Sequence, residues 1–142
     1  NVKLNDSLST LAYLKVLHTT RFLSRSEHLK EAISTLLSKL SVKPLILLLF
    51  GPAAQERAFK TTTPVDILLV YQTLEDQEML RQSIHAIGKE NHLQINPLFV
   101  DYATFEKSFL DKEHAFSNRI RQEGLIVVGV EYYYSLLWRF LR

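Results

Sequence analysis

The chain has 142 residues, 46% hydrophobic and 23% charged, which suits one domain with its own core and excludes a disordered segment. Its net charge of +2 comes from interspersed basic and acidic side chains, so no basic stripe marks a nucleic-acid surface. The absence of cysteine excludes disulfides, thiolate metal sites and a cysteine nucleophile and suits a reducing, cytoplasmic setting, and the longest apolar run, Leu45 to Phe50, is far short of the roughly 18 residues a membrane span takes.

The sequence opens on Asn1 without an initiator methionine or a signal-like region, which predicts a processed chain or part of a longer one. Asn5 or Asp6 can cap a first helix whose apolar side runs through Leu8, Leu11, Ala12, Val16, Phe22 and Leu23. Ser24-Arg25-Ser26-Glu27 reads as a capping box, and Leu29, Ala32, Ile33, Leu36, Leu37 and Leu40 then recur at helical steps. Pro44 stops that helix. Leu45 to Phe50, confined between Pro44 and Gly51-Pro52, reads as a central strand buried on both faces. Val65 to Tyr71 gives a second strand, interrupted by Asp66. Glu75 to Glu90 carries Met79, Leu80, Ile84 and Ile87 at helical spacing and ends near Gly88 and Asn91. Glu75, Asp76 and Glu78 at its start complement the helix dipole. Leu93 to Val100 reads as a third strand whose Pro97 places it at a sheet edge or ends its ladder early. Helices are predicted over Tyr102 to Leu110 and Glu113 to Gln122, then an apolar run Leu125 to Val128 and a final helix from Glu131 to Leu141. The alternation predicts an α/β fold, a mixed sheet of about four strands flanked by helices behind an N-terminal helical segment, with residues 1–25 as that segment and 26–142 as the main domain.

Chemistry concentrates at one junction: a buried strand ending at Gly51, a short polar segment, and a strand bearing Asp66. A glycine there lets backbone N–H groups approach an anion, a helix N-terminus adds its dipole, and the carboxylate can hold a divalent metal. Equally, Asp66 reads as a solvated or hydrogen-bonded strand residue. His18, His28, His85, His92 and His114 show no metal-binding spacing and read as surface residues. Tyr132, Tyr133, Tyr134, Trp138 and Phe140 could stack on bases, but Tyr133, Leu137 and Phe140 share a helical face that reads as packing.

Leu48-Leu49-Phe50-Gly51-Pro52-Ala53-Ala54-Gln55-Glu56 followed by Val65-Asp66-Ile67-Leu68-Leu69-Val70 resembles the minimal nucleotidyltransferase domain, whose pattern is roughly LFGSxARG and then SDIDLLV. Ile95 to Val100 with Phe105, and Ile120 to Leu125 with Gly129, are similar to the family's third strand and its closing turn. The resemblance spans Ser26 to Tyr134 and implies a DNA-polymerase-β-like palm, in which three strand carboxylates hold two metal ions and the glycine loop positions a nucleoside triphosphate. The nucleotide-binding positions it implies are Gly51, Pro52, Asp66 and Asn96, with Asp66 the one retained candidate for catalysis and metal binding. The departures are substantial. Pro52 replaces the serine, Gln55 the arginine and Glu56 the glycine. Asp66 has Pro64 and Leu68 two residues either side, so no Asp-x-Asp forms, and the third carboxylate position falls near Asn96.

The expectation is therefore a degenerate, non-catalytic nucleotidyltransferase-fold domain in a regulatory, dimerising or ligand-binding role, with no cofactor. Asn1 to Asn5 resembles the end of a wing joining a winged-helix DNA-binding domain to this fold in some prokaryotic transcription regulators, so DNA would be reached only through a domain outside this chain. A homodimer or another protein partner is expected, and no membrane. One alternative is an active transferase moving NMP from an NTP with Mg²⁺, using Asp66 with Asp101 or Glu56. Another is an antitoxin-like partner of a helical toxin.

Overall fold

The computed structural model describes residues 10, 13–17, 19–23, 26–55, 60 and 62–142. The Asn1–Asn5 segment, the cap at Asn5 or Asp6, Leu8, Leu11, Ala12, His18, Ser24, Arg25 and Glu56 lie outside the described residues. Residues 13–17 and 19–23 are helical, and the first full element is helix α1, Glu27–Lys39. Its cap is Ser26, whose side chain accepts from Leu29 N at 3.2 Å. No carboxylate stands three residues on, so this is a plain N-cap in place of the expected capping box. Leu29, Ala32, Ile33 and Leu36 form the buried stripe.

Ile46–Phe50 (β1) and Val65–Tyr71 (β2) occupy the middle of a four-stranded sheet, with Ile95–Asp101 (β3) beside β2 and Leu125–Val128 (β4) beside β1. β1 runs antiparallel to both neighbours and β2 parallel to β3. Pro52–Gln55 (α2) is a single turn after β1, and Gln77–Glu90 (α3) crosses from β2 to β3. Tyr102–Leu110 (α4), Ala115–Glu123 (α5) and Val130–Leu141 (α6) follow β3, with β4 between the last two. The apolar run Leu125 to Val128 is thus the second sheet edge.

Alternation along the strands sends side chains to two cores. Leu47, Leu49, Ile67, Leu69 and Ile95 pack with α1 and α3 on one face, while Ile46, Leu48, Leu68 and Val70 pack with α4, α5 and α6 on the other. The continuous aliphatic sequence of β1 follows from this, because a central strand buried on both faces has no solvated side to mark with polar residues.

Pro97 keeps its place on the edge strand without breaking the ladder. Val65 N donates to Gln94 O at 2.8 Å, so even-numbered residues of β3 turn their peptide groups toward β2. Pro97 has the other parity, its missing N–H would face outward, and its carbonyl accepts from Arg81 Nη1 at 3.3 Å.

Two apolar residues lie where periodicity did not put them. Val16 is 40% exposed, because the buried side of the N-terminal helical residues runs through Thr19 and Phe22, with the Thr19 hydroxyl donating to Lys15 O. Met79 is 50% exposed, a turn of about 100° away from the Leu80, Ile84, Ile87 stripe. At the last junction Gly129 has φ 87, and a Cβ there would lie 2.0 Å from Leu45 O, so no other residue fits between β4 and α6.

Candidate functional site

Antiparallel pairing brings the C-terminal end of β1 to the N-terminal ends of β2 and β3, which collects Gly51, Asp66 and Asn96 at one rim of the sheet. Asp66 and Asn96 are register partners, and Asn96 Nδ2 donates to Asp66 Oδ1 at 3.3 Å. A carboxylate only accepts when ionised, which fixes the amide orientation. Gly51 has φ 76, and a Cβ on it would lie 2.5 Å from Asp66 Oδ2. The glycine is therefore required twice, by its left-handed backbone and by the carboxylate lying against it.

This geometry changes what the glycine turn offers an anion. Asp66 lies against Gly51, so an anion drawn to this turn would meet a carboxylate beside it. The element after the turn is four residues long, too short for aligned peptide dipoles to build up. Pro52 opens that turn, a position whose N–H has no helical partner and where proline's fixed φ is favourable. Gln55, in the position where the resembling family has arginine, donates through Nε2 to Glu123 Oε2 at 2.7 Å and ties α2 to the end of α5.

The donor set does not fit a pair of magnesium ions. Magnesium takes oxygen ligands in octahedral geometry, and here Pro64 and Leu68 stand two residues either side of Asp66, while Asn96 turns its NH₂ group toward Asp66. Among the described residues no group of three or more His, Asp or Glu side chains could hold a metal. Asp101 does not join Asp66. It pairs with Tyr71 at the other end of β2, five residues from the Asp66–Asn96 pair, which is roughly 16 Å at strand rise. Its side chain caps α4 by accepting from Thr104 N at 2.7 Å, and these hydrogen bonds hold its carboxyl below the usual range.

Three features of the rim were not visible as sequence motifs. Glu123 meets Gln55 across 68 residues. Lys15 donates through Nζ to Gly124 O at 2.8 Å, and its burial lowers the ammonium pKa. His85, Lys89, His92 and Asn96 line an open depression of about 540 Å³ beside the end of α3. The basic residues there complement the negative end of the helix dipole, and that same end disfavours an anion. His28 from α1 faces His92 with ring centroids 6.3 Å apart.

Away from the rim, Tyr133 is 2% exposed and stacks edge-on against Phe109 at 5.3 Å. Arg121 lies over the Phe140 ring at 3.9 Å and donates to Phe109 O and Asn118 Oδ1. Tyr133 and Phe140 of α6 are thus engaged in packing, while Tyr132 is 37% exposed. A scan against protein-family models finds no match, and searches of curated proteins and of solved structures find none either. Among the described residues no helix is long and apolar enough to cross a membrane.

Proposed function

We propose that this chain is a non-catalytic, ligand-binding module on a nucleotidyltransferase-like fold, acting in the cytoplasm as the regulatory or dimerising partner of a DNA-binding domain. The observation that carries this reading is the placement of Asp66. Its carboxylate lies against Gly51, accepts from an amide, and has no second carboxylate two residues away on either side, where Pro64 and Leu68 stand. A single carboxylate so placed offers too few oxygen ligands to hold and position two divalent cations. The dimerising part draws on Tyr13, Leu14 and Val16, which are 65%, 50% and 40% exposed within one helical stretch. Light scattering is expected to give a dimer mass that reverts to monomer in Tyr13→Ser/Val16→Ser.

The decisive experiment is incubation with labelled nucleoside triphosphates and Mg²⁺ or Mn²⁺. No transfer of nucleoside monophosphate above a heat-denatured control is expected. Transfer that disappears in Asp66→Ala would overturn the reading.

A further inference from the structure

The sheet face that carries Asp66 and Asn96 also holds a narrow apolar slot of about 170 Å³. Leu68 and Leu98 line its floor, each two residues along its strand from Asp66 or Asn96. The two-residue strand repeat therefore puts all four side chains on one face, with the polar pair roughly 7 Å from the floor. Ser108 of α4 and Phe116 of α5 stand on the walls. Leu68 is 1% exposed and Leu98 45%, so the slot runs from the surface into the core. Its size suits one ring, since an engineered apolar cavity of ~150 Å³ stays dry and takes up benzene.

The polar surroundings decide the charge of the occupant. Among the described residues, Asp66 enters no ion pair and its side chain accepts one hydrogen bond, from Asn96. An ionised carboxylate has about four acceptor sites, so among the described residues most of its capacity is unused. Among the described residues, no lysine or arginine lines the slot to favour an anion. His114 Nδ1 accepts from Ser117 N at 3.2 Å and lies 2.8 Å from Ser117 Oγ, so these two side chains are engaged with each other at the cap of α5.

We infer that the slot binds a small organic cation, a primary ammonium carried on a single aromatic ring, with the ring between Leu68, Leu98 and Phe116 and the ammonium on Asp66. This deepens the ligand-binding reading above and rests on its premise that Asp66 is not a metal ligand. Burial of the ring supplies affinity, and the charge-assisted hydrogen bond supplies orientation.

The test is a titration of the 142-residue chain with benzylammonium, followed by calorimetry and by the methyl NMR signals of Leu68 and Leu98. Saturable shifts at those methyls are expected at millimolar ligand. Benzyl alcohol, which keeps the ring and loses the charge, should bind about tenfold more weakly. Asp66→Asn should lose the same factor for benzylammonium and leave benzyl alcohol unchanged. Ser108→Leu, which fills the slot from a partly exposed helix position, should abolish binding of both, and Leu98→Trp serves if that variant does not fold. Absence of saturable shifts, equal benzylammonium binding by Asp66→Asn, or binding untouched by a filled slot overturns the inference. The transfer assay on the same preparation separates the two claims. No transfer and no benzylammonium binding removes the slot alone, whereas Asp66-dependent transfer removes the proposed function whatever the slot binds.

Discussion

The two faces of the sheet take alternate residues from the same strands and differ in how completely they close. On the α1 and α3 face, side chains from all four strands meet those of α1, α2 and α3 in one continuous core. Its one buried tyrosine, Tyr71, donates from its hydroxyl to Val42 O at 3.1 Å. The opposite face has three helices and more aromatic rings, yet among the described residues it leaves an apolar slot, a carboxylate that accepts one hydrogen bond at the rim, and a buried Tyr133 hydroxyl with no partner. Polar groups left incompletely satisfied cost stability, so a face that keeps them is where binding belongs.

The largest effect should come from the closed face. Leu69 is 0% exposed between β1 and β3, and Leu69→Ala should cost about 2–5 kcal/mol. A urea titration reads this as a lower midpoint at unchanged slope. Ser108→Leu on the open face should cost less than about 1 kcal/mol, because the slot has room for the added atoms. Similar losses from both would show that the two faces are equally closed.

Next in size is the contact between Gly51 and Asp66. Gly51→Ala meets two penalties, a left-handed φ of 76 and a Cβ 2.5 Å from Asp66 Oδ2, and should cost about 2–3 kcal/mol. In an Asp66→Ala background the second penalty is gone and the cost should fall to about 1–2 kcal/mol. A double-mutant cycle measures the difference as a coupling energy. Zero coupling would mean the carboxylate does not lie on the glycine, and the phosphate approach would be open again.

Most of the fold was legible because its signals are local. The three- and four-residue steps of α1 and the apolar run of β1 between Pro44 and Gly51 each depend on neighbouring residues alone, whereas the outward parity of Pro97 is set by the register with β2. The site was legible only as composition. Asp66 and Gly51 were visible as candidates, but that one fills the space beside the other is a distance across 15 residues. The slot draws on β2, β3, α4 and α5, so no single window contains it. Val16 and Met79 show a related limit, since periodicity defines an apolar stripe about 100° wide and cannot say which residue at its margin turns outward.

The two buried tyrosines sharpen the comparison at lower energy. Burial raises both phenols from the ordinary 10 to about 12. A raised folded pKa means that the stabilising contribution is whole below about pH 10 and is lost as pH climbs through about 12. Wild-type unfolding should therefore steepen across that alkaline window, as followed by tyrosinate absorbance. Removing the hydroxyls should have opposite signs. Tyr71→Phe gives up a hydrogen bond and should cost about 1 kcal/mol, whereas Tyr133→Phe deletes an unpaired buried group and should gain about 1 kcal/mol. A loss at Tyr133 would reveal a hidden partner and close that part of the open face.

The smallest effect tests whether even the closed face keeps a polar concession at its margin. α3 ends with Leu93 N donating to Gly88 O at 2.8 Å, and His92 takes the left-handed position of that motif with φ 56. Glycine suits this position best, because any Cβ there crowds the backbone. His92→Gly should therefore stabilise by about 0.4–1 kcal/mol, less the greater backbone entropy of glycine in the unfolded chain. Thermal unfolding in parallel with His28→Ala resolves the remaining term. If His92→Gly destabilises and His28→Ala costs the same amount, the 6.3 Å ring contact outweighs the backbone preference, and the imidazole is held there by packing against α1.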